Sequence, residues 1–244
     1  MKNAVSRVAT PIILLIPLIH TVWRRVLRVQ RSASKHLLCF YTLGILLNAI
    51  GDIFLIQDIW ESSYTIGTIF FIGGYISYAT GFYPKGEGYQ TGLFIQTFLM
   101  MLTCSICVFL IVYRAVIDSL EDIISCAAYL LVQCIIVPSY VAQPNNNRIR
   151  CQNCQKMGIY GSLLVCLSDY MLIIDAGYKK YEAKQGRDGT IPAFPLRNYV
   201  VMLTYYSAQF MIAWSTRQWS CAEKNNLSQI EDKKYEQITQ DFEE

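Results

Sequence analysis

Long apolar runs, separated by short clusters of charged residues, dominate this sequence. Each run is about 16 to 23 residues long, a length at which a helix crosses the hydrocarbon core of a bilayer with varied tilt. Only 16% of the 244 residues are charged, whereas a soluble domain carries about 25%. No strand-like alternation persists, which argues against a membrane β-barrel. The sequence therefore predicts an all-α membrane protein, a bundle of about seven transmembrane helices, with eight as the alternative count.

The apolar runs number seven and leave little room for a soluble domain. They cover residues 8–23, 37–56, 64–82, 92–113, 120–142, 157–174 and 199–214. We predict one membrane bundle over residues 1–219 and a polar, disordered tail over residues 220–244. The first run contains Pro11 and Pro17 and lacks a small-residue cleavage site, so we interpret it as a retained, kinked helix. The polar segment 175–198 is predicted to be a loop.

Charged residues flank the runs and indicate an orientation. The net charge of +3 is too small to indicate a nucleic-acid partner. Lys and Arg are concentrated after the first and fifth runs, which places these loops in the cytoplasm and the N-terminus outside or in a lumen. The segment 175–198, on the opposite side, carries five further Lys and Arg residues and weakens this prediction.

Cysteine usage and motif searches exclude several kinds of site. The nine cysteines form no even framework and lie mostly in apolar runs, which argues against a disulfide scaffold. Cys151 and Cys154 form one CxxC, but a structural zinc site needs four ligands, so two free thiols are favoured. No HExxH, GxSxG or P-loop pattern is present, and His20 and His36 are distant from the intramembrane acids. No cofactor and no metal site is predicted, although a carboxylate-bound metal stays an alternative.

Two acids, Asp52 and Asp169, lie inside apolar runs. An aspartate at bilayer depth costs about 2.5–3.5 kcal/mol on insertion scales and usually faces a bundle interior with a function there. Both acids are four to five residues from the end of runs that cross in the same direction, so both are expected about 6–8 Å below one membrane face. One protonated and one ionised carboxyl would form an acid–base pair. A structural contact between helices and snorkelling to the interface are the alternatives.

Other polar side chains are candidates to join these acids. Asn48 lies four residues before Asp52 and shares its helix face, and Gly51 leaves room for close helix approach or a ligand. Tyr205 and Gln209 share a face of the last run, which carries five polar side chains. Tyr75 and Tyr78 belong to an aromatic stripe that is more often packing than a substrate groove.

The motifs around the acids occur in register on four of the runs. A polar residue, two spacers and Gly-Asp stand in the second run, and Gly, Phe and Tyr recur at helical spacing in the third. The sixth run has Gly, Ser-Asp and Leu, and the seventh has Tyr-Tyr-x-Ala-Gln. The residues concerned are Asn48, Gly51 and Asp52, then Gly67, Phe71 and Tyr78, then Gly161, Ser168, Asp169 and Leu172, and finally Tyr205, Tyr206, Ala208 and Gln209. Over roughly residues 8 to 214 this pattern resembles the YhhN-type lysoplasmalogenase family of integral membrane proteins.

The resemblance implies an activity and a set of roles. Family members cleave the vinyl ether bond of lysoplasmalogens to a fatty aldehyde and a glycerophospho-head group. By this resemblance one of Asp52 and Asp169 would be the acid and the other the stabilising carboxylate. The sequence does not indicate which aspartate has which role. The lysophospholipid would contact Asn48, Gly51, Tyr75, Tyr78, Ser168, Tyr205, Tyr206 and Gln209. The membrane would be that of the endoplasmic reticulum. Tyr75 departs from the family, which usually has His there, and this substitution leaves activity in question.

Two other classes of function stay open. Paired intramembrane acids also serve proton- or ion-coupled transporters. The chain would alternatively be a seven-helix receptor or a catalytically silent lysolipid-binding relative. The sequence indicates neither an oligomeric state nor a preference between choline and ethanolamine head groups.

Overall fold

The computed structural model describes residues 32–57, 63–82, 89–143, 152–187, 193–194 and 196–216. These residues form six α-helices and, within the described ranges, no strand. The helices are α1 Ser32–Gln57, α2 Ser63–Phe82, α3 Thr91–Val116, α4 Leu120–Val141, α5 Gln152–Lys184 and α6 Arg197–Ser215. They correspond to the second to seventh apolar runs. The first run, the CxxC residue Cys151 and the polar tail 220–244 lie outside the described residues.

Four helices are long and apolar enough to cross a membrane, which makes the protein an integral membrane protein. The spans are His36–Phe54, Thr91–Val116, Leu120–Val141 and Asn153–Lys184. The described part of the chain thus supports four spans, and the predicted count of seven or eight is wrong for it. The reason lies in composition: glycine, tyrosine, serine and threonine dilute the hydropathy of α2, and five polar side chains dilute that of α6.

Polar side chains within the helices face the bundle interior, where they lie among apolar core residues, and the outer surface of the bundle is apolar. Leu99, Leu110 and Ile111 on α3 are more than half exposed, whereas Asn48 and Gln133 are fully buried. This inside-out distribution is expected where lipid is the solvent, since polar side chains then face the bundle interior. It is the arrangement that gathers the candidate site residues into the centre of the molecule.

The helix α5 is ten residues longer than its apolar run predicted at its C-terminal end, because it continues to Lys184 rather than stopping at Ile174. The prediction of a loop beginning at residue 175 is therefore wrong. Asp175 is fully buried and binds Lys179 Nζ at 3.0 Å and the backbone N–H of Ala193 at 2.9 Å. Lys180 pairs with Asp122, and Lys184 Nζ lies 2.6 Å from Asp118. These basic residues lie on a helix and pair with nearby acids. A count of Lys and Arg residues in loops is therefore misled by them, because they do not form a positively charged loop.

Neighbouring helices pack as α1 against α2, α3 against α4, and α5 against α6, with α4 also contacting α2 and α5. A glycine allows the first of these contacts beside the candidate acid. A Cβ atom at Gly51 would lie 2.8 Å from the Phe71 ring and 3.1 Å from the carbonyl oxygen of Gly67. Only a residue without a side chain permits this approach of α1 to α2. Gly51 therefore sets the distance between α1 and α2 beside Asp52.

Candidate functional site

The two intramembrane acids come from distant parts of the chain to one region of the bundle. Asp52 lies on α1 and is half-buried, and Asp169 lies on α5 and is only 4% exposed. Asp52 is close enough to Asp169 for the charge of Asp169 to act on it. Within the described residues neither acid has a Lys or Arg partner, so the charge of either is met by hydrogen-bond donors instead.

Asp169 is held by donors from two other helices. Its Oδ2 atom accepts a hydrogen bond from the Tyr75 hydroxyl of α2 and one of 2.7 Å from the Gln133 amide of α4. The hydroxyl of Tyr129, also on α4, lies 3.4 Å from that of Tyr75. Hydrogen bonds of this kind to a charged acceptor are about twice as strong as neutral ones. The Asp169 carboxylate is therefore fixed in position by α2 and α4.

Asp52 receives its hydrogen bond from the last helix. The Tyr205 hydroxyl of α6 donates to Asp52 Oδ2 at 3.3 Å. The same hydroxyl is close enough to Asp169 and Tyr129 to interact with them electrostatically. We call this group the carboxyl cluster, and its members are Asp52, Tyr75, Tyr129, Gln133, Asp169 and Tyr205.

A second group of polar side chains adjoins the carboxyl cluster. The Tyr78 hydroxyl donates to Gln209 Oε1 at 2.8 Å, and Asn48 lies beside Tyr78. Among the described residues, the amide of Asn48, the Nε2 of Gln209 and the Oε1 of Gln133 have no hydrogen-bond partner, although all three side chains are buried. A buried amide without a partner costs about 1–3 kcal/mol. These groups are suited to bind a water molecule or the oxygen atoms of a substrate.

The structure brings most of the predicted site residues together and assigns others to packing. Asp52, Asp169, Tyr75 and Tyr205 are in the carboxyl cluster, and Asn48, Tyr78 and Gln209 adjoin it, as described above. Ser168 instead donates its hydroxyl to the carbonyl oxygen of Val201 at 3.1 Å and so joins α5 to α6. Tyr206 packs its half-buried ring against Tyr205, with 5.9 Å between ring centroids. Gly51 acts through helix packing.

Two members of the carboxyl cluster, Tyr129 and Gln133, were not predicted from the sequence. They are four residues apart on α4 and thus share one helix face. Gln133 is an uncharged polar residue in the middle of an apolar run, which is the signal that marks it. It carries no charge, so it does not stand out as an intramembrane acid does.

Comparison with known proteins gives a family for the chain. Neither the curated proteins nor the solved structures that we compared include a match. The model of the YhhN family, however, matches residues 6–216, which include every residue of the carboxyl cluster. This match agrees with the motifs on four helices and covers most of the 244 residues. The chain therefore belongs to the YhhN family.

Proposed function

We propose that this protein is a membrane-embedded hydrolase that cleaves the vinyl ether bond of lysoplasmalogens. The products are a fatty aldehyde and a glycerophospho-head group. The observation that carries the proposal is the carboxyl cluster. Within the described residues its two acids have no basic partner, and each accepts hydrogen bonds from uncharged donors inside the bundle: Asp169 from a tyrosine and an amide, and Asp52 from a tyrosine. Membership of the YhhN family supports the same activity.

Vinyl ether hydrolysis needs an acid, a stabilising carboxylate and a positioned water. The acid donates a proton to the alkene carbon that is not bonded to oxygen, and an oxocarbenium ion forms. Water adds to the carbon bonded to oxygen and loses a proton, which leaves a hemiacetal. The hemiacetal collapses to the aldehyde and the free hydroxyl of the head group. Glycosidases use two carboxyl groups in the same way around an oxocarbenium-like transition state.

Hydrogen bonding suggests how the two acids divide the work. Asp169 accepts two hydrogen bonds, an arrangement suited to a carboxylate that stays charged and stabilises the cation. Asp52 accepts one, at 3.3 Å, which suits a group that carries and delivers the proton. Asn48 and Gln209, whose buried amides have free hydrogen-bonding capacity within the described residues, would orient the water or the glycerol oxygens.

The direct test is fatty aldehyde release from an alkenyl lysophospholipid by the purified protein. Asp52→Asn and Asp169→Asn should each lower the rate by about 100- to 10,000-fold, the usual contribution of a positioned acid or base. The matched control is Asp118→Asn, which makes the same chemical change on a carboxylate that is 73% exposed and distant from the carboxyl cluster.

The outcomes separate the candidate functions. Release that survives Asp118→Asn and disappears in both site variants supports the hydrolase. Full activity in either folded site variant would remove that aspartate from the mechanism. A folded wild-type protein that binds the lipid without releasing aldehyde would instead be a silent relative. Colocalisation with an endoplasmic reticulum marker tests the proposed location of the protein.

A further inference from the structure

An apolar cavity lies beside the carboxyl cluster, between α2 and α4. Its volume is about 300 Å³, and its walls also include one residue each of α1 and α3. Its lining includes Tyr75, Ile76, Ala79 and Thr80 of α2 and Ser139 of α4. Small-molecule pockets span about 300–1,000 Å³, so this cavity is at the narrow end of the range. It accommodates one hydrocarbon chain more readily than two.

Two hydroxyl groups of the cavity wall, those of Thr80 and Ser139, are turned away from its interior, and His36 is the other lining residue with polar side-chain atoms besides Tyr75. The Thr80 hydroxyl donates to the carbonyl oxygen of Ile76 at 2.8 Å, and the Ser139 hydroxyl donates to that of Ile135 at 2.7 Å. Both hydroxyls therefore satisfy their own helices and leave methyl and methylene groups facing the cavity. An aqueous or polar ligand would find few partners on these walls, whereas a hydrocarbon chain needs none.

Tyr75 joins the cavity to the carboxyl cluster. Its side chain lines the cavity and is fully buried, while its hydroxyl binds Asp169. The next residue, Ile76, also lines the cavity but is 48% exposed on the outer, lipid-facing side of the bundle. The cavity therefore extends from the lipid-facing surface inward to the residue that holds the candidate catalytic carboxylate.

One face of α4 contacts the polar carboxyl cluster, and another face lines the apolar cavity. Tyr129 and Gln133 face the carboxyl cluster, whereas Val132, Ile135 and Ser139 line the cavity at helical spacing. One helix thus separates an apolar compartment from a polar one, with Tyr75 at the boundary.

We propose that this cavity binds the hydrocarbon chain of a single-chain lipid and sets the chain length that the protein accepts. The inference rests on the proposed function, because it places the bond to be cleaved beside Asp169 and the chain in the cavity. The small side chain of Ala79, which is 8% exposed, leaves the space that the chain would occupy. A larger residue there shortens the cavity.

Binding is tested without hydrolysis, so that failure of the hydrolase proposal does not decide the result. The probe is an alkyl lysophospholipid with a saturated ether and a photoreactive diazirine in its chain, added to the protein in nanodiscs. We expect its covalent labels on cavity-lining residues of α2 and α4. Ala79→Leu should reduce this labelling at least fivefold. Ala127→Leu, the same change at an exposed position of α4, should leave it unchanged.

A second variant and a second readout keep the test decisive. Thr80→Leu, at a half-buried position of the same wall, should reduce labelling as well if Ala79→Leu does not fold. If the protein releases aldehyde, Ala79→Leu should lower kcat/KM for a long alkenyl chain at least about tenfold, and less for a short one. Labels outside the cavity, or labelling that both wall variants leave intact, would overturn the proposal.

Discussion

Tyr75 stands where the family resemblance predicts histidine, and its hydroxyl makes the hydrogen bond to Asp169 that orients this acid. A phenol hydroxyl and an imidazole N–H both donate a hydrogen bond. The substitution thus preserves the contact on which the carboxylate depends, while it removes a group that takes up and releases protons near neutral pH. The structure supports Tyr75 as a residue that positions Asp169 rather than one that shuttles a proton.

Removing that hydroxyl should therefore slow the reaction without unfolding the protein. A hydrogen bond to a charged group contributes about 1.5–3 kcal/mol, so we expect Tyr75→Phe to lower kcat about 10- to 100-fold. Tyr75→His should retain much more activity because it restores a donor. Tyr160→Phe, at a residue 56% exposed on α5, is the matched control for loss of a hydroxyl. Equal rates for Tyr75→Phe and wild type would show that the hydrogen bond plays no part.

The roles assigned to the two acids predict different responses to added acid. A vinyl ether is also protonated by hydronium ion, which can replace a missing general acid. After the uncatalysed rate at each pH is subtracted, the residual rate of Asp52→Asn should therefore rise as the pH falls. The rate of Asp169→Asn should not rise in this way, since hydronium cannot stabilise a cation. The pH dependence of aldehyde release from both variants measures this, and the reverse pattern would exchange the roles.

Close packing of α1 against α2 beside Asp52 depends on glycine at the contact, where Gly51 lies against Phe71 and Gly67. Membrane helices gain little from burying apolar surface against each other, because lipid is equally apolar, so small residues at the interface matter more. The helix α1 has its candidate acid directly after such a residue. Stability and the geometry of the site are therefore linked at this element.

Gly51→Ala should separate the two helices and destabilise the protein. The added methyl group would lie 2.8 Å from the Phe71 ring, and overpacking of this kind costs about 1–3 kcal/mol. Gly92→Ala is the matched control because a Cβ atom at this position on α3 meets nothing within 4 Å. We expect it to be neutral or stabilising, since alanine favours helix. Size-exclusion chromatography after heating in detergent measures both, and similar loss in the two variants would contradict the packing explanation.

At the scale of the whole molecule, ion pairs connect the end of α5 to the turn between α3 and α4. Lys180 binds Asp122 at the start of α4, and Lys184 binds Asp118 within the turn. The α5 extension beyond residue 174 is thereby attached to a part of the chain more than 50 residues away. The extension does not depend on the apolar bundle alone.

A charge reversal tests this attachment. Lys180→Glu should lower stability by up to about 1 kcal/mol, the scale of a partly exposed ion pair. The second change Asp122→Lys should restore part of the loss in the double variant, and the restoration should weaken at high salt. Thermal midpoints of the four proteins of this cycle give the coupling. Additive losses in the double variant would mean that the pair does not contribute.

The membrane class, the six described helices and the two intramembrane acids were predictable from sequence, because lipid requires long uncharged runs and makes a charged residue within them conspicuous. The family resemblance from four motifs was confirmed as well. The end of α5 and the span count were not, since basic residues can extend a helix and inward-facing polar residues lower the hydropathy of α2 and α6.

Only the folded chain showed which polar groups meet. In α1, α2 and α5 polar and apolar residues are spread evenly around the helix, so no amphipathic pattern indicates which face of each turns inward. The rotation of each helix and its register against its neighbour depend on contacts between helices, such as that of Gly51 with Phe71. For the same reason Tyr129 and Gln133 became part of the site only when packing brought α4 to Asp169. Uncharged side chains that no sequence motif marks thus join the site through contacts with other helices.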